Sequence, residues 1–62
     1  MLLHLADPAY TDRLTAYLTS LGQHPVVAGP AVVELDTERE EIEVYLRVWK
    51  VLYPDADISF GA

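Results

Sequence analysis

Two histidines and ten carboxylates are the side chains of this 62-residue chain that could do acid–base or metal chemistry. Alternating apolar and polar residues would place His4 and Glu34 on the same side of neighbouring strands, with Asp57 nearby. A histidine beside a carboxylate can act as a general base or as part of a metal site. Catalytic sites are normally concave, however, and an open sheet face is not. We therefore expect a non-enzymatic protein without a catalytic, cofactor-binding or metal site.

Motifs for other kinds of chemistry are missing from the sequence. The chain has no cysteine, which removes thiol nucleophiles, thiolate metal ligands and disulfides. It has no G-x-S-x-G element and no phosphate-binding loop. Asp55 and Asp57 lack the further oxygen ligands of a calcium loop, and His24, which precedes Pro25, is expected to be a loop residue.

The charge balance argues against nucleic acid and anionic membranes as partners. Ten acidic and four basic residues give a net charge of −6, whereas a phosphate backbone is bound by clustered Lys and Arg. No apolar run approaches the roughly 20 residues of a membrane span. No basic region precedes an apolar stretch, as it does in a signal peptide. We therefore expect a cytoplasmic protein.

The longest element that the sequence predicts is a helix over residues 37–53. Thr37 and Glu40 have the spacing of a capping box, and Glu43 and Arg47 have that of an i, i+4 ion pair. Acidic residues crowd the first turn and basic residues come later, as the helix dipole favours. Pro54 should end the helix, because the residue before a proline is pushed out of the α region.

This helix carries two apolar stripes that together span roughly 220° of its surface, about twice the arc of an ordinary surface helix. The first stripe consists of Ile42, Tyr45, Leu46, Trp49 and Tyr53. The second, called the valine surface below, consists of Val44, Val48, Val51 and Leu52. Either the chain covers both stripes itself, or the valine surface meets a second copy or another protein. We expect an interface, most simply in a homodimer, because so short a chain has little left to cover a second face.

The remaining patterns predict a β-α-β-β-α-β order in a single domain. Strands are predicted over residues 2–6, 24–28, 31–35 and 56–60, with Pro25 placing the second of them at an edge. A first helix is predicted over residues 8–21, begun by Asp7 and ended by Gly22. Its core face would carry Tyr10, Leu14, Tyr17, Leu18 and Leu21, and its outer face Thr11, Asp12, Thr15 and Thr19.

That order predicts an α+β protein of ferredoxin-like βαββαβ fold. In this fold a four-stranded antiparallel sheet has two helices on one face, with strands 1 and 3 in the middle. The open sheet face would carry Leu2, His4, Val32, Glu34, Asp57 and Ser59. Because this face mixes apolar and polar residues, it is a second candidate for docking.

Asp7-Pro8 follows a predicted strand, and the predicted first helix ends at Gly22 before the next strand. This segment resembles the first half of ACT-type regulatory modules. The segment from the first helix through the second is similar to small signalling domains related in shape to the PII proteins. The resemblance implies a domain that pairs and binds an amino acid or another small effector near the first strand-to-helix loop. Ala9 stands where that loop usually has glycine, so we carry over no binding residue.

Other activities of the same fold require residues that this chain lacks. An RRM-like protein stacks bases on aromatic residues of its central strands, which here offer Leu2, His4, Val32 and Glu34. A copper-chaperone-like domain needs a pair of cysteines. An acylphosphatase-like enzyme needs an arginine after the first strand, where this chain has Asp7.

We therefore predict a non-enzymatic interaction or regulatory module that self-associates or docks on a partner protein through apolar faces. The alternative is an acidic protein that inhibits a basic partner or mimics its ligand. The observation behind this alternative is the run Glu38, Glu40, Glu41 and Glu43. A third hypothesis is a small metal-binding or enzymatic domain that uses His4 and Glu34.

Overall fold

The computed structural model describes residues 1–61 and confirms the predicted order of elements. Two helices and four strands follow one another, with a short 3-10 helix directly before the first α-helix. In chain order they are β1 (Leu2–Leu5), the 3-10 helix (Pro8–Tyr10), α1 (Thr11–Ser20), β2 (Val26–Gly29), β3 (Val32–Glu34), α2 (Arg39–Leu52) and β4 (Ile58–Phe60). The strands are three or four residues long, slightly shorter than the patterns predict.

The four strands form one antiparallel sheet in the order β2-β3-β1-β4. Leu3 of β1 lies opposite Val33 of β3 on one side and Phe60 of β4 on the other. The prediction that strands 1 and 3 are central is therefore confirmed. The α+β class, with a four-stranded antiparallel sheet and two helices, is confirmed as well.

Strand β2 lies at one edge of the sheet, as Pro25 predicts. It pairs with β3 through Val27 and Val33, and the register shifts between Val27 and Gly29 at a bulge. Val26 and Val27 are both more than half exposed. The edge strand thus contributes little to the core and ends in an irregular segment.

One hydrophobic core joins both helices to the sheet. In β1, Leu3 and Leu5 are buried while His4 between them is exposed, because successive side chains of a strand point to opposite faces. In the β3 region Val33 and Leu35 are buried in the same way, as predicted. The core consists of Leu3, Leu5, Leu14, Leu18, Val33, Leu35, Ile42, Trp49 and Ala56.

Trp49 is the largest buried side chain and lies at the centre of an aromatic cluster that ties α1 to α2. Its ring centroid is 4.5 Å from that of Tyr53, 5.5 Å from that of Tyr17 and 6.4 Å from that of Tyr10. The indole Nε1 donates a hydrogen bond to the carbonyl of Ala56 at 3.3 Å. A buried indole N–H needs such a partner, so this bond also fixes the turn that leads to β4.

The start and end of the first helical segment follow the predicted signals. The Asp7 carboxylate accepts the backbone N–H of Ala9 at 2.9 Å, although the turn that it caps is 3-10 rather than α. At the other end Gly22 has a φ of 84°. Its N–H bonds to the carbonyl of Thr19, and the N–H of Gln23 bonds to that of Leu18, both at 3.0 Å. These two bonds form a Schellman motif.

Two side chains of the predicted first helix, Thr11 and Leu21, do not lie where the sequence predicts them. Thr11 was expected on the outer face, but it is buried and its hydroxyl donates to the carbonyl of Pro30 at 2.8 Å. The 3-10 turn before it advances with fewer residues per turn than an α-helix, which rotates Thr11 toward the sheet. Leu21 was expected on the core face, but as the C-cap residue it lies beyond the last packed turn and is partly exposed.

The predicted cap of α2 is wrong, whereas its predicted end is confirmed. The helix begins at Arg39 with Glu38 as N-cap, and no side chain caps it. The Thr37 hydroxyl donates instead to the side-chain oxygen of Gln23, which follows α1. The Thr37 hydroxyl therefore bonds a residue distant in sequence instead of the backbone N–H of Glu40, its partner in a capping box. Before Pro54 the helix ends at Leu52.

Candidate functional site

The valine surface of α2 is exposed. Relative exposures are 54% for Val44, 52% for Val48, 79% for Val51 and 57% for Leu52. On the first stripe, by contrast, Ile42 and Trp49 are fully buried, and Tyr45, Leu46 and Tyr53 pack against the core. The sheet and α1 therefore cover one stripe of the helix and leave the other without a covering element among residues 1–61.

Helix geometry explains why the two stripes differ. At about 100° per residue, Val51 lies about 180° around α2 from Ile42, which points into the core. Val51 is accordingly the most exposed of the large apolar side chains. Val44 and Val48 lie within about one quarter turn of it on the same side. No small rotation of α2 could bury the valine surface without exposing Ile42 and Trp49.

The valine surface is a large feature for a protein of this size. The four exposures correspond to an apolar area on the order of 300–400 Å², comparable to the largest and often functional patch of an ordinary monomer. The molecule exposes 3948 Å² in total, and a folded monomer of its mass exposes about 4,000 Å². The chain is thus packed as closely as expected, and the exposed valines do not result from a loose fold.

Charged side chains border the valine surface on both sides. Glu40 and Glu41 lie at its N-terminal end, and the Tyr45 hydroxyl donates to a Glu41 carboxylate oxygen at 3.1 Å. Arg47 lies along its other side. The predicted pair between Glu43 and Arg47 is wrong, since the Glu43 carboxylate pairs at 3.0 Å with Arg39 instead. No carboxylate in residues 1–61 forms an ion pair with Arg47.

Two tyrosine hydroxyls lie where α1 meets α2, and both keep their protons at neutral pH. Tyr17 donates to the carbonyl of Tyr45 at 2.8 Å, and burial raises the pKa of the Tyr17 phenol above its ordinary value. The pKa of the Tyr45 phenol is raised chiefly by its hydrogen bond to Glu41. A phenol that donates to a carboxylate loses that bond when it ionises, so the protonated form is favoured.

The structure brings His4 and Glu34 to one sheet face, as predicted, but builds no site from them. Both are exposed, His4 lies opposite Val32 and Ser59, and Glu34 lies opposite residues of β1 and β2. Neither side chain makes a hydrogen bond within the described part of the chain. Asp57 forms an ion pair with Lys50 of α2, and it also lines a shallow depression of about 180 Å³ together with His4 and Ser59. Among residues 1–61 no three His, Asp or Glu side chains are grouped as a metal ion requires.

A groove between α2 and β4 is the feature that the sequence patterns miss. Its volume is about 330 Å³. The floor is apolar and the rim is charged; the lining residues are Glu43, Leu46, Arg47, Trp49, Lys50, Ala56, Asp57, Ile58 and Phe60. The spacing of Arg39, Glu43, Arg47 and Lys50 along one side of α2 is the signal that could have located the rim. The apolar floor has no such signal, because it forms only where β4 packs beside α2.

Comparison of the chain with protein-family models, with curated proteins and with solved structures finds no match. Within the described residues, neither helix combines the length and the apolar character needed to cross a bilayer. The function proposed below therefore depends on the geometry and charge of the chain itself.

Proposed function

We propose that the chain is a non-enzymatic interaction module that docks through the valine surface, either on a second copy of itself or on a partner protein. The supporting observation is the exposure of Val44, Val48, Val51 and Leu52, each more than half exposed on an otherwise closely packed molecule. A second copy is the simplest occupant, because an uncharged apolar helix face is complementary to itself across a two-fold axis.

The size of the valine surface suits the centre of an interface rather than the whole of it. A stable interface of standard size takes about 800 Å² from each partner, with an apolar centre and a polar rim. The four side chains supply about half of that area. Neighbouring residues such as Glu41, Tyr45 and Arg47 would supply the rim, and their exposed polar groups remain solvated at its edge.

A ferredoxin-like topology with both helices on one sheet face is part of this proposal. It is supported by the strand order β2-β3-β1-β4 and by the core, in which side chains of both helices meet the inward residues of β1 and β3. Such a fold would leave the outer side of the helix layer available for docking. We also propose a cytoplasmic location and a regulatory role; the absence of cysteine fits that location.

Size-exclusion chromatography with light scattering tests the proposal. The wild-type chain should be a dimer at micromolar concentration, and Val48→Asp should be a monomer, because two carboxylates would be buried without partners. The matched control is Val26→Asp, which changes a similarly exposed valine on the open sheet face, the second docking candidate, and should leave the dimer intact; loss of the dimer in this variant alone would place the interface on the sheet. If both variants stay dimeric, or the wild type is a monomer that captures no partner through α2, the proposal is wrong.

The acidic alternative is favoured by one arrangement at the start of α2. Asp36, Glu38, Glu40 and Glu41 are all exposed there, and the one cation among them, Arg39, pairs with Glu43, so a basic partner would find a cluster of carboxylates. Binding of that kind should weaken steeply between low and high salt. A complex that persists at high salt and is lost in Val48→Asp identifies apolar docking instead.

A further inference from the structure

The groove between α2 and β4 has the dimensions and floor of a small-ligand site. Its volume of about 330 Å³ lies at the lower end of the range of ligand pockets, about 300–1,000 Å³. Leu46, Ile58 and Phe60 form an apolar floor that is only partly covered by the rest of the chain. One aromatic ring or branched alkyl group with a short chain fits within this space.

Most basic side chains of this acidic chain lie around the groove. Three of the chain's four basic residues, Arg39, Arg47 and Lys50, lie at or beside it. The carboxylates of the rim are already neutralised, since Glu43 pairs with Arg39 and Asp57 pairs with Lys50. Counted together with Arg39, which lies beside it, the groove has three basic and two acidic side chains and so one excess positive charge, although the whole chain has a net charge of −6.

Arg47 holds that excess charge. It lines the groove, it is exposed, and among residues 1–61 its guanidinium has neither a carboxylate partner nor a hydrogen bond. A guanidinium presents its donors in a planar fork that matches both oxygens of a carboxylate. The Arg39 guanidinium differs, because it pairs with Glu43 and lies 4.3 Å from the centre of the Phe60 ring.

We propose that this groove binds a small monocarboxylic acid with an aromatic or branched apolar body. The body lies on Leu46, Ile58 and Phe60, and the carboxylate accepts two hydrogen bonds from Arg47. A ligand with two or more negative charges is disfavoured, because the rim offers a single unpaired cation and the chain has a net charge of −6. The groove shares no residue with the valine surface, although Arg47 borders both, so this inference goes beyond the proposed function.

Titration of the full-length chain with hydrocinnamate, followed by NMR, tests the site. The indole N–H signal of Trp49 is a direct reporter, because Trp49 and its hydrogen-bond partner Ala56 both line the groove. We expect saturable binding with a dissociation constant of about 1 mM or tighter. Hydrocinnamamide, which has the same shape without the charge, should bind about tenfold more weakly or worse.

Arg47→Met should weaken hydrocinnamate binding about tenfold and leave the amide unaffected. Arg13→Met is the matched control, since it removes the same charge from a residue of α1 that does not line the groove, and it should change binding little. Because Arg13 lies over the Tyr10 and Tyr53 rings, which pack on Trp49, each titration is referred to the ligand-free spectrum of the same variant. Arg47 is exposed, so neither its loss nor Arg47→Lys threatens folding. Arg47→Lys should bind with intermediate affinity, because it keeps the charge without the planar fork.

Three results would overturn the inference: no saturation up to about 10 mM, equal binding of acid and amide, or equal losses in Arg47→Met and Arg13→Met. Repeating the titration with Val48→Asp separates this site from the proposed function. Binding that persists in a monomeric variant supports the groove whether or not the chain dimerises. Binding lost only in Val48→Asp would place the ligand at the valine surface instead.

Discussion

Replacing Gly22 by alanine should destabilise the fold, whereas the same substitution at Gly29 should not. Gly22 has a φ of 84°, and an added Cβ would meet no atom within 4 Å. The penalty is therefore purely conformational, about 1–2 kcal/mol for an L-residue in the left-handed region. At Gly29 the φ is ordinary, and an added Cβ would lie 3.6 Å from the Cβ of Val32, a normal contact.

Comparing the two variants isolates the cost of the left-handed conformation. Each substitution removes a similar amount of freedom from the unfolded chain, which by itself stabilises the fold by about 0.4–1 kcal/mol. That contribution cancels in the difference. Gly22→Ala should therefore be less stable than Gly29→Ala by about 1–2 kcal/mol, which for a domain of this size separates the melting temperatures by roughly 5–15 °C.

Urea and thermal unfolding followed by circular dichroism measure this difference. All samples should have the same protein concentration, because dimerisation would otherwise shift the apparent stability. Gly22→Asn is a useful third variant, since asparagine tolerates the left-handed region and should recover part of the loss. Equal stabilities of Gly22→Ala and Gly29→Ala would show that α1 does not end in the Schellman motif described above.

Three further predictions concern hydroxyl groups. Thr11→Val should lower stability by about 0.5–1.5 kcal/mol in urea unfolding, because it removes the buried hydroxyl that donates a partly buried hydrogen bond to the Pro30 carbonyl in the β2–β3 turn. Thr15→Val should have little effect, because the Thr15 hydroxyl bonds only within α1. The raised pKa of Tyr17 should make the fold less stable in alkali: the contribution is complete below the ordinary pKa of about 10 and is lost as the pH rises through the higher folded value. Glu41→Gln should bring the pKa of Tyr45 back toward its ordinary value in a spectrophotometric titration.

Each of these three predictions has a clear contrary result. Equal losses in Thr11→Val and Thr15→Val would mean that the bond to the turn adds nothing to stability. An unchanged Tyr45 titration in Glu41→Gln would mean that the hydrogen bond between them is not formed in solution. Alkaline unfolding should also be compared with Tyr17→Phe, which removes the titrating group and should lose this part of the pH dependence.

Features that depend on neighbours in sequence are the ones that the sequence predicts well. The alternation of Leu3, His4 and Leu5 depends only on strand geometry, and Pro54 ends α2 by a clash with the residue before it. The exposed side of α2 follows in the same way, because the positions of Val44 and Val51 around the helix depend only on its period. The β-α-β-β-α-β order follows from these local signals together.

Features that depend on which distant residue is nearby are the ones that the sequence patterns miss. Thr37 has the spacing of a capping box, yet Gln23 lies close enough to bind its hydroxyl. Glu43 has basic residues four positions away on either side, and only the packed structure selects Arg39 over Arg47. The groove is a larger case of the same kind, since α2 and β4 contribute different parts of it.

The bulge in β2 has a consequence for how copies of this chain can assemble. An exposed, uncharged edge strand can recruit further strands and so grow into open-ended fibres. Here Pro25 precedes the strand and the register shifts between Val27 and Gly29, so only a short segment offers regular pairing. Sheet-to-sheet polymerisation is thereby discouraged at this edge. A chain protected in this way can expose the apolar side of α2 and still form a closed particle with a fixed number of copies.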